Sequence, residues 1–137
     1  MKTVLYIHGK GGNATESTHY EKFFLDCKVI GLDYKIFSPW ETGREIHEAV
    51  VSLKTEFESI ILIANSIGAF FSMNENLNSL IEKAYFISPV VNMEKLICDM
   101  MNWANVTETE LEQRKIINTD FGEELSWEYL NIVYMIF

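Results

Sequence analysis

Four aliphatic residues, Ile60-Ile61-Leu62-Ile63, run without an intervening loop into Ala64-Asn65-Ser66-Ile67-Gly68, and then into Ala69, Phe70, Phe71 and Met73. The first run is what a strand buried on both faces of a parallel sheet requires. The last residues have helix-compatible spacing. A strand that turns directly into a helix leaves the side chain at the turn standing proud of the sheet. It also needs small neighbours where the two backbones nearly touch. Small-x-Ser-x-Gly meets both demands, and this is the geometry of a nucleophile elbow. The turn sets the helix's first, unbonded N–H groups beside Ser66 Oγ. Ser66 is therefore a candidate nucleophile. A serine that only caps the helix is the alternative, and this stretch alone leaves both readings open.

The rest of the chain supplies the sheet around that strand. Thr3 to Ile7 reads as a first buried strand ending at His8-Gly9, followed by a Gly-, Asn- and Thr-rich loop from Gly9 to Ser17. Tyr20, Phe23, Phe24 and Cys27 are spaced for a helix with one apolar face, with Gly31 as its stop. Tyr34 to Phe37 is expected as the second strand, halted by Ser38-Pro39-Trp40. Arg44 to Phe57 reads as a helix with Ile46, Val50, Leu53 and Phe57 on one stripe. Ser59 to Ile63 is the third strand, and Ala84 to Ser88, ended by Pro89, the fourth. Strands alternating with helices at these intervals imply right-handed crossovers onto a parallel sheet. The fold class is thus α/β, a three-layer sandwich with a mostly parallel central sheet. Beyond it, Met93 to Trp103 is helical, Thr107-x-x-Glu110 opens a helix through Ile117, and Glu123 to Tyr129 opens another. The tail Leu130 to Phe137 fits a strand or a buried helix equally.

Charge narrows the choice of partners. The 137 residues carry a net charge of −9 with no run of Lys or Arg, so a polyanion is repelled and nucleic-acid binding is excluded. No stretch approaches the length of a membrane span, and no cleavage site follows the short apolar N-terminus. The two cysteines, Cys27 and Cys98, sit in amphipathic stretches and suit free thiols in a reducing compartment. A cytoplasmic protein is expected.

Taken with the elbow after the third strand, the end of the first strand becomes informative. Tyr6-Ile7-His8-Gly9-Lys10-Gly11-Gly12 resembles the His-Gly oxyanion loop of the α/β-hydrolase fold, and the pair of motifs is most similar to the short single-domain serine hydrolases over about residues 2 to 104. The resemblance implies acyl transfer to water: Ser66 attacks an ester or similar carbonyl. The oxyanion is then held by N–H groups of Ile67 and of Lys10 or Gly11, with Gly9, Gly11 and Gly12 letting the backbone approach a small-molecule acyl substrate. Residues 1–137 are then one domain, with 92–137 a helical C-terminal region bearing the apolar tail. Ala64 stands where the family usually has Gly.

A second departure concerns the triad. The family's acid and histidine follow the nucleophile, yet His8, His19 and His47 all precede Ser66. Asp99 and Asp120, downstream, have no histidine to orient. The chain is expected to be a member cut off before its final strands, feebly active or inactive, since a serine without its base is a poor nucleophile. A non-catalytic remnant or interaction domain of the same fold is the competing expectation. Of the histidines, His8 is expected to anchor the oxyanion loop, His19 lies on the strand-end side where it could approach Ser66, and His47 is expected in solvent.

Gly9-Lys10-Gly11-Gly12-Asn13-Ala14 also fits G-x-G-x-x-A, with Asp33 about twenty residues on. That acid falls before the second strand instead of at its end, so a dinucleotide site is set aside. No P-loop occurs, and nothing is spaced for a metal; no cofactor or metal is expected. Trp40, Trp103 and Trp127 read as packing residues. In the spatial order that the resemblance implies, Tyr34–Phe37, Thr3–Ile7, Ser59–Ile63, Ala84–Ser88, the fourth strand of a shortened member is expected to be an open apolar edge. The tail is expected to cover that edge or to mediate a homodimer.

Overall fold

The computed structural model describes the backbone of residues 1–35, 39–73, 75–90, 92–121 and 123–136, and the side chains of the same residues except 39, 40 and 132–136. The chain divides into two compact units, Met1–Val91 and Asn92–Phe137.

The first unit holds β1 (Lys2–Ile7), a 3-10 helix (Ala14–Phe23), β2 (Cys27–Gly31), α1 (Pro39–Lys54), β3 (Ser59–Asn65), α2 (Ile67–Met73) and β4 (Lys83–Ile87). Its four strands lie in the order β2-β1-β3-β4, all parallel, giving an α/β sheet flanked by helices. Ile7 pairs with Ala64 and Asn65 with Ile87, so three strand ends finish level with one another. Successive side chains alternate between the faces. Val4, Tyr6, Ile61 and Ile63 form one core, against which Tyr20, Phe24, Cys27 and Val29 pack. Leu5, Ile7, Ile60, Leu62 and Ala64 are buried on the opposite face, where Ile46 and Val50 of α1 and Phe71 of α2 are also buried.

The second strand is the main departure from the sequence reading. Cys27 was expected on a helix and Gly31 as its stop, with a strand at Tyr34–Phe37. Instead Cys27–Gly31 is β2, paired residue for residue with Lys2–Tyr6. The preceding helix is a 3-10 helix capped by Asn13, whose side chain accepts from Thr15 N at 3.0 Å, and it ends at Phe23. A helix with three residues per turn ends before the spacing from Tyr20 to Cys27 can be used. Val29 and Ile30 have the β-branched character a strand favours. Tyr34 is a buried loop residue, and Ile36 and Phe37 lie outside the described residues. Asp33 therefore follows β2 by two residues instead of preceding the second strand, so its position no longer argues against a dinucleotide site. α1 begins five residues earlier than expected, with Pro39 at the first position, where its missing N–H costs nothing. Phe57 follows the helix, its N–H bonded to Leu53 O.

The second unit holds α3 (Met93–Trp103), α4 (Glu108–Arg114), β5 (Ile116–Asn118), β6 (Glu124–Ser126) and α5 (Trp127–Ile136). Asn105, at φ 56°, follows the cap residue Ala104. Its N–H reaches Asn102 O and that of Val106 reaches Met101 O, the paired bonds of a Schellman motif. Thr107 Oγ1 accepts from Glu110 N at 3.1 Å and starts α4 as its sequence requires. The expected continuation of that helix to Ile117 stops at Arg114, and β5 pairs antiparallel with β6. Ile97, Met101, Leu111, Ile117, Leu125 and Leu130 are buried. The tail resolves as helix, and Leu130 is completely buried. Its side chains from 132 onward lie outside the described residues.

Candidate active site

The path of the chain fixes where a ligand would meet this sheet. From β1 it steps to β2 on one side, then crosses to β3 on the other. A crevice opens at such a switch point, outside the strands' C-terminal ends, and ligands of open α/β sheets bind there. Ser66 stands at this place, between the end of β3 and the first residue of α2, Ile67.

Ser66 has φ 56°, a left-handed backbone that a residue with a Cβ seldom adopts. It is half-buried, and both neighbouring small residues are needed. A Cβ on Gly68 would lie 2.7 Å from His8 O and 2.9 Å from Ile7 O, so only glycine lets α2 sit this close to β1. A Cβ on Gly9 would lie 3.2 Å from Ser66 Cβ and 3.9 Å from its Oγ. The loop after β1 and the turn after β3, which the sequence separates by more than fifty residues, are therefore in contact. Lys10 and Gly11 follow Gly9 at the surface, Gly11 with φ 82°.

His8 is buried beneath this loop. Its Nδ1 lies 2.7 Å from Gly9 O and its Nε2 3.2 Å from Tyr34 O; a neutral imidazole donates to one of these carbonyls. The Tyr34 ring stacks on it with centroids 4.2 Å apart, and the Tyr34 hydroxyl donates to His8 O. Gly12 N also donates to Gly9 O, at 3.1 Å. The Gly9–Lys10 peptide is thus fixed by its carbonyl, and its N–H points the opposite way, as a trans peptide demands.

On the face of the sheet that carries the 3-10 helix, an open cleft of about 550 Å³ is lined by Tyr6, Glu16, Thr18, His19, Tyr20 and Asn65. The Tyr6 hydroxyl donates to Glu16 Oε1 at 2.7 Å, and Glu16 Oε2 would lie 2.8 Å from a Cβ on Gly12. One carboxylate thus bonds β1 to the 3-10 helix and lies where a side chain at Gly12 would collide with it. Burial above all, then Glu16, raises the Tyr6 phenol above its ordinary value. His19 lies exposed at the cleft, its ring edge-on to Tyr20 at 5.2 Å. His47, expected in solvent, is half-buried on α1, its Nδ1 buried with no hydrogen-bond partner among the described residues.

Glu16, Tyr6 and Asn65 are the residues sequence reasoning passed over. Asn65 falls two positions after Ile63 and so shares the face of Tyr6, which strand alternation makes readable. Glu16 had no such signal, because its position depends on the 3-10 geometry. Among the described residues no helix is long and apolar enough to cross a membrane, and no three His, Cys, Asp or Glu side chains gather to hold a metal.

No protein-family model matches the sequence, nor does any curated protein. Among solved structures, the crystal structure of the selenomethionine-substituted hypothetical protein PA1622 from Pseudomonas aeruginosa PAO1 is similar, with a TM-score of 0.51 at 16% identity. The likeness covers 91% of this chain and 61% of that one, so this chain spans less than two thirds of the similar protein. At that identity the likeness bears on the fold alone: an α/β sheet flanked by helices.

Proposed function

We propose that this chain is a serine-hydrolase-like α/β domain, related to the α/β-hydrolases, in which Ser66 is the acyl acceptor for a small ester or similar acyl substrate. The observation that carries the reading is the left-handed turn of Ser66, pressed against Gly9 at the sheet's switch point. Ser66 Oγ adds to the carbonyl carbon and its proton leaves to solvent. The carbonyl electron pair moves onto oxygen, which the N–H groups of Ile67 and Lys10 stabilise. Collapse of this adduct expels the alkoxide or phenolate, and water hydrolyses the acyl-serine. The polar lining of the adjoining cleft favours short or polar acyl groups over long alkyl chains. No cofactor or metal enters these steps.

Turnover is feeble. All three histidines precede Ser66, and the ring of His8 is already engaged with backbone carbonyls. Catalysis from the oxyanion donors and binding alone is of order ~10³–10⁴ over water. The same observation favours the competing reading, an interaction domain of this fold without chemistry. Intact-mass analysis after incubation with 4-nitrophenyl acetate separates the two. A single acetyl adduct on the Ser66 peptide, absent from Ser66→Ala, supports the acyl acceptor; an unmodified Ser66 supports the interaction domain. The partner we propose in either case is a second copy of the chain, joined at the edge strand β4. The two free cysteines suit a cytoplasmic setting.

A further inference from the structure

Ser66 does not have the only left-handed serine at this end of the sheet. Ser88, the residue after β4, has φ 45° and precedes Pro89. That is unfavourable twice over, since a Cβ resists positive φ and a following proline restricts the residue before it. Such strain persists only where the surroundings over-determine it, and it gathers at functional sites.

The surroundings here are Ser66's own backbone. Ser66 N donates to Ile87 O at 2.9 Å, and Val90 N donates to Ser66 O at 3.2 Å. Residues 87 to 90 therefore hold both peptide groups of Ser66 from the β4 side. Between the two bonds stand Ser88, which makes the turn, and Pro89, which has no N–H to compete for Ser66 O. Ala69 N reaches the same oxygen at 3.1 Å from α2. Gly9 packs on the side chain from the β1 side. Clamped from three elements, Ser66 cannot relax toward ordinary strand or helix dihedrals.

We infer that Ser88 is a positioning residue: its left-handed turn sets Ile87 C=O and Val90 N–H against Ser66 and so holds the acyl acceptor in its exposed conformation. This rests on the reading of Ser66 as acyl acceptor, but the clamp has a readout of its own. Backbone conformation does the positioning, so glycine, which adopts positive φ freely, preserves it, and the β-branched valine opens it.

The test compares Ser88→Gly, Ser88→Val and Ser88→Ala with the unaltered chain by amide hydrogen exchange and by the rate of Ser66 acetylation. In the unaltered chain the Ser66 and Val90 amides exchange as slowly as those of Ile61 and Leu62. In Ser88→Val both exchange at least tenfold faster while Ile61 and Leu62 are unchanged, and acetylation falls by a similar factor. Ser88→Gly restores both, and Ser88→Ala acetylates within about twofold of the unaltered chain because the hydroxyl is not used. Unprotected Ser66 and Val90 amides in the unaltered chain overturn the clamp even if Ser88→Val does not fold. So does a Ser88→Gly chain as impaired as Ser88→Val, or a Ser88→Ala chain that keeps the amide protection but loses acetylation. Protection that follows this pattern with no acetylation in any chain supports the clamp and refutes the acyl acceptor.

Discussion

At Gly68 the sheet and the elbow helix come close, and two of the three nearest atoms a Cβ would meet are carbonyl oxygens, of His8 and Ile7, that cannot swing aside as a side chain would. Gly68→Ala should therefore cost about 1–3 kcal/mol, read as a lowered urea midpoint with an unchanged slope. A midpoint within experimental scatter of the unaltered chain would mean that α2 sits farther from β1. Tyr6 makes a different claim. Its phenol is raised first by burial and then by Glu16, so the folded chain holds that proton more tightly than the unfolded one. The resulting stabilisation is fully present below the ordinary phenol value of about 10 and is lost as pH rises above it. Absorbance at 295 nm should show Tyr6 still protonated at about pH 11, and Tyr6→Phe should flatten the alkaline fall in stability. A phenol at position 6 that ionises at the ordinary value of about 10 contradicts the buried Tyr6–Glu16 bond. The tight strand-to-helix turn at Ser66 and its close glycine were legible from the sequence, because an apolar run followed by small residues and a glycine demands such a turn. Glu16 was not, since a carboxylate in a polar loop reads as solvated until the 3-10 helix brings it under Tyr6.

Element by element, the clearest signals were caps and uninterrupted apolar runs. β1, β3, β4 and α3 fall within a residue or two of their expected bounds because each is a continuous run closed by Gly, Ser-Pro or a cap. β2 was missed because Tyr20, Phe23, Phe24 and Cys27 satisfy helical spacing, whereas the chain turns at Phe24, whose N–H bonds Glu21 O, and reuses Cys27 as a strand residue. The β5–β6 hairpin was missed for another reason. Strands of three residues carry almost no periodicity, and the turn is pinned by Thr119, whose Oγ1 both donates to Glu123 O and accepts from Glu123 N. For α4, the cap at Thr107 is separable: Thr107→Ala should cost about 1 kcal/mol and Thr107→Ser little, measured by urea unfolding. Equal losses in both variants would mean that the Thr107 methyl, and not its hydroxyl, matters.

Taken whole, the parallel sheet has two edge strands among the described residues, β2 and β4, and β4 is the more exposed. β4 pairs with β3 on one side, and Tyr85, Phe86 and Ile87 are exposed at 41%, 38% and 37%. An apolar strand edge invites another chain, and a charge on it deters pairing. Light scattering should give a dimer mass that falls to that of a monomer in the double variant Tyr85→Lys, Phe86→Lys; a monomer at every concentration of the unaltered chain removes the dimer. The order of β1, β3 and β4, and β4 as an edge, agree with what the resemblance implied, but the strand beside β1 is Cys27–Gly31 and not Tyr34–Phe37. The tail's contribution was not legible, since eight mostly apolar residues fit strand and helix alike, and burial of Leu130 within a helix decided it. What remains central is whether the strained serine at the switch point does chemistry. The most direct measurement is the intact mass of the chain and of Ser66→Ala after exposure to 4-nitrophenyl acetate, followed by peptide mapping. One acetyl group on Ser66, acquired slowly and absent from Ser66→Ala, is the predicted result. No adduct at Ser66, or an equal adduct in both chains at another residue, contradicts it.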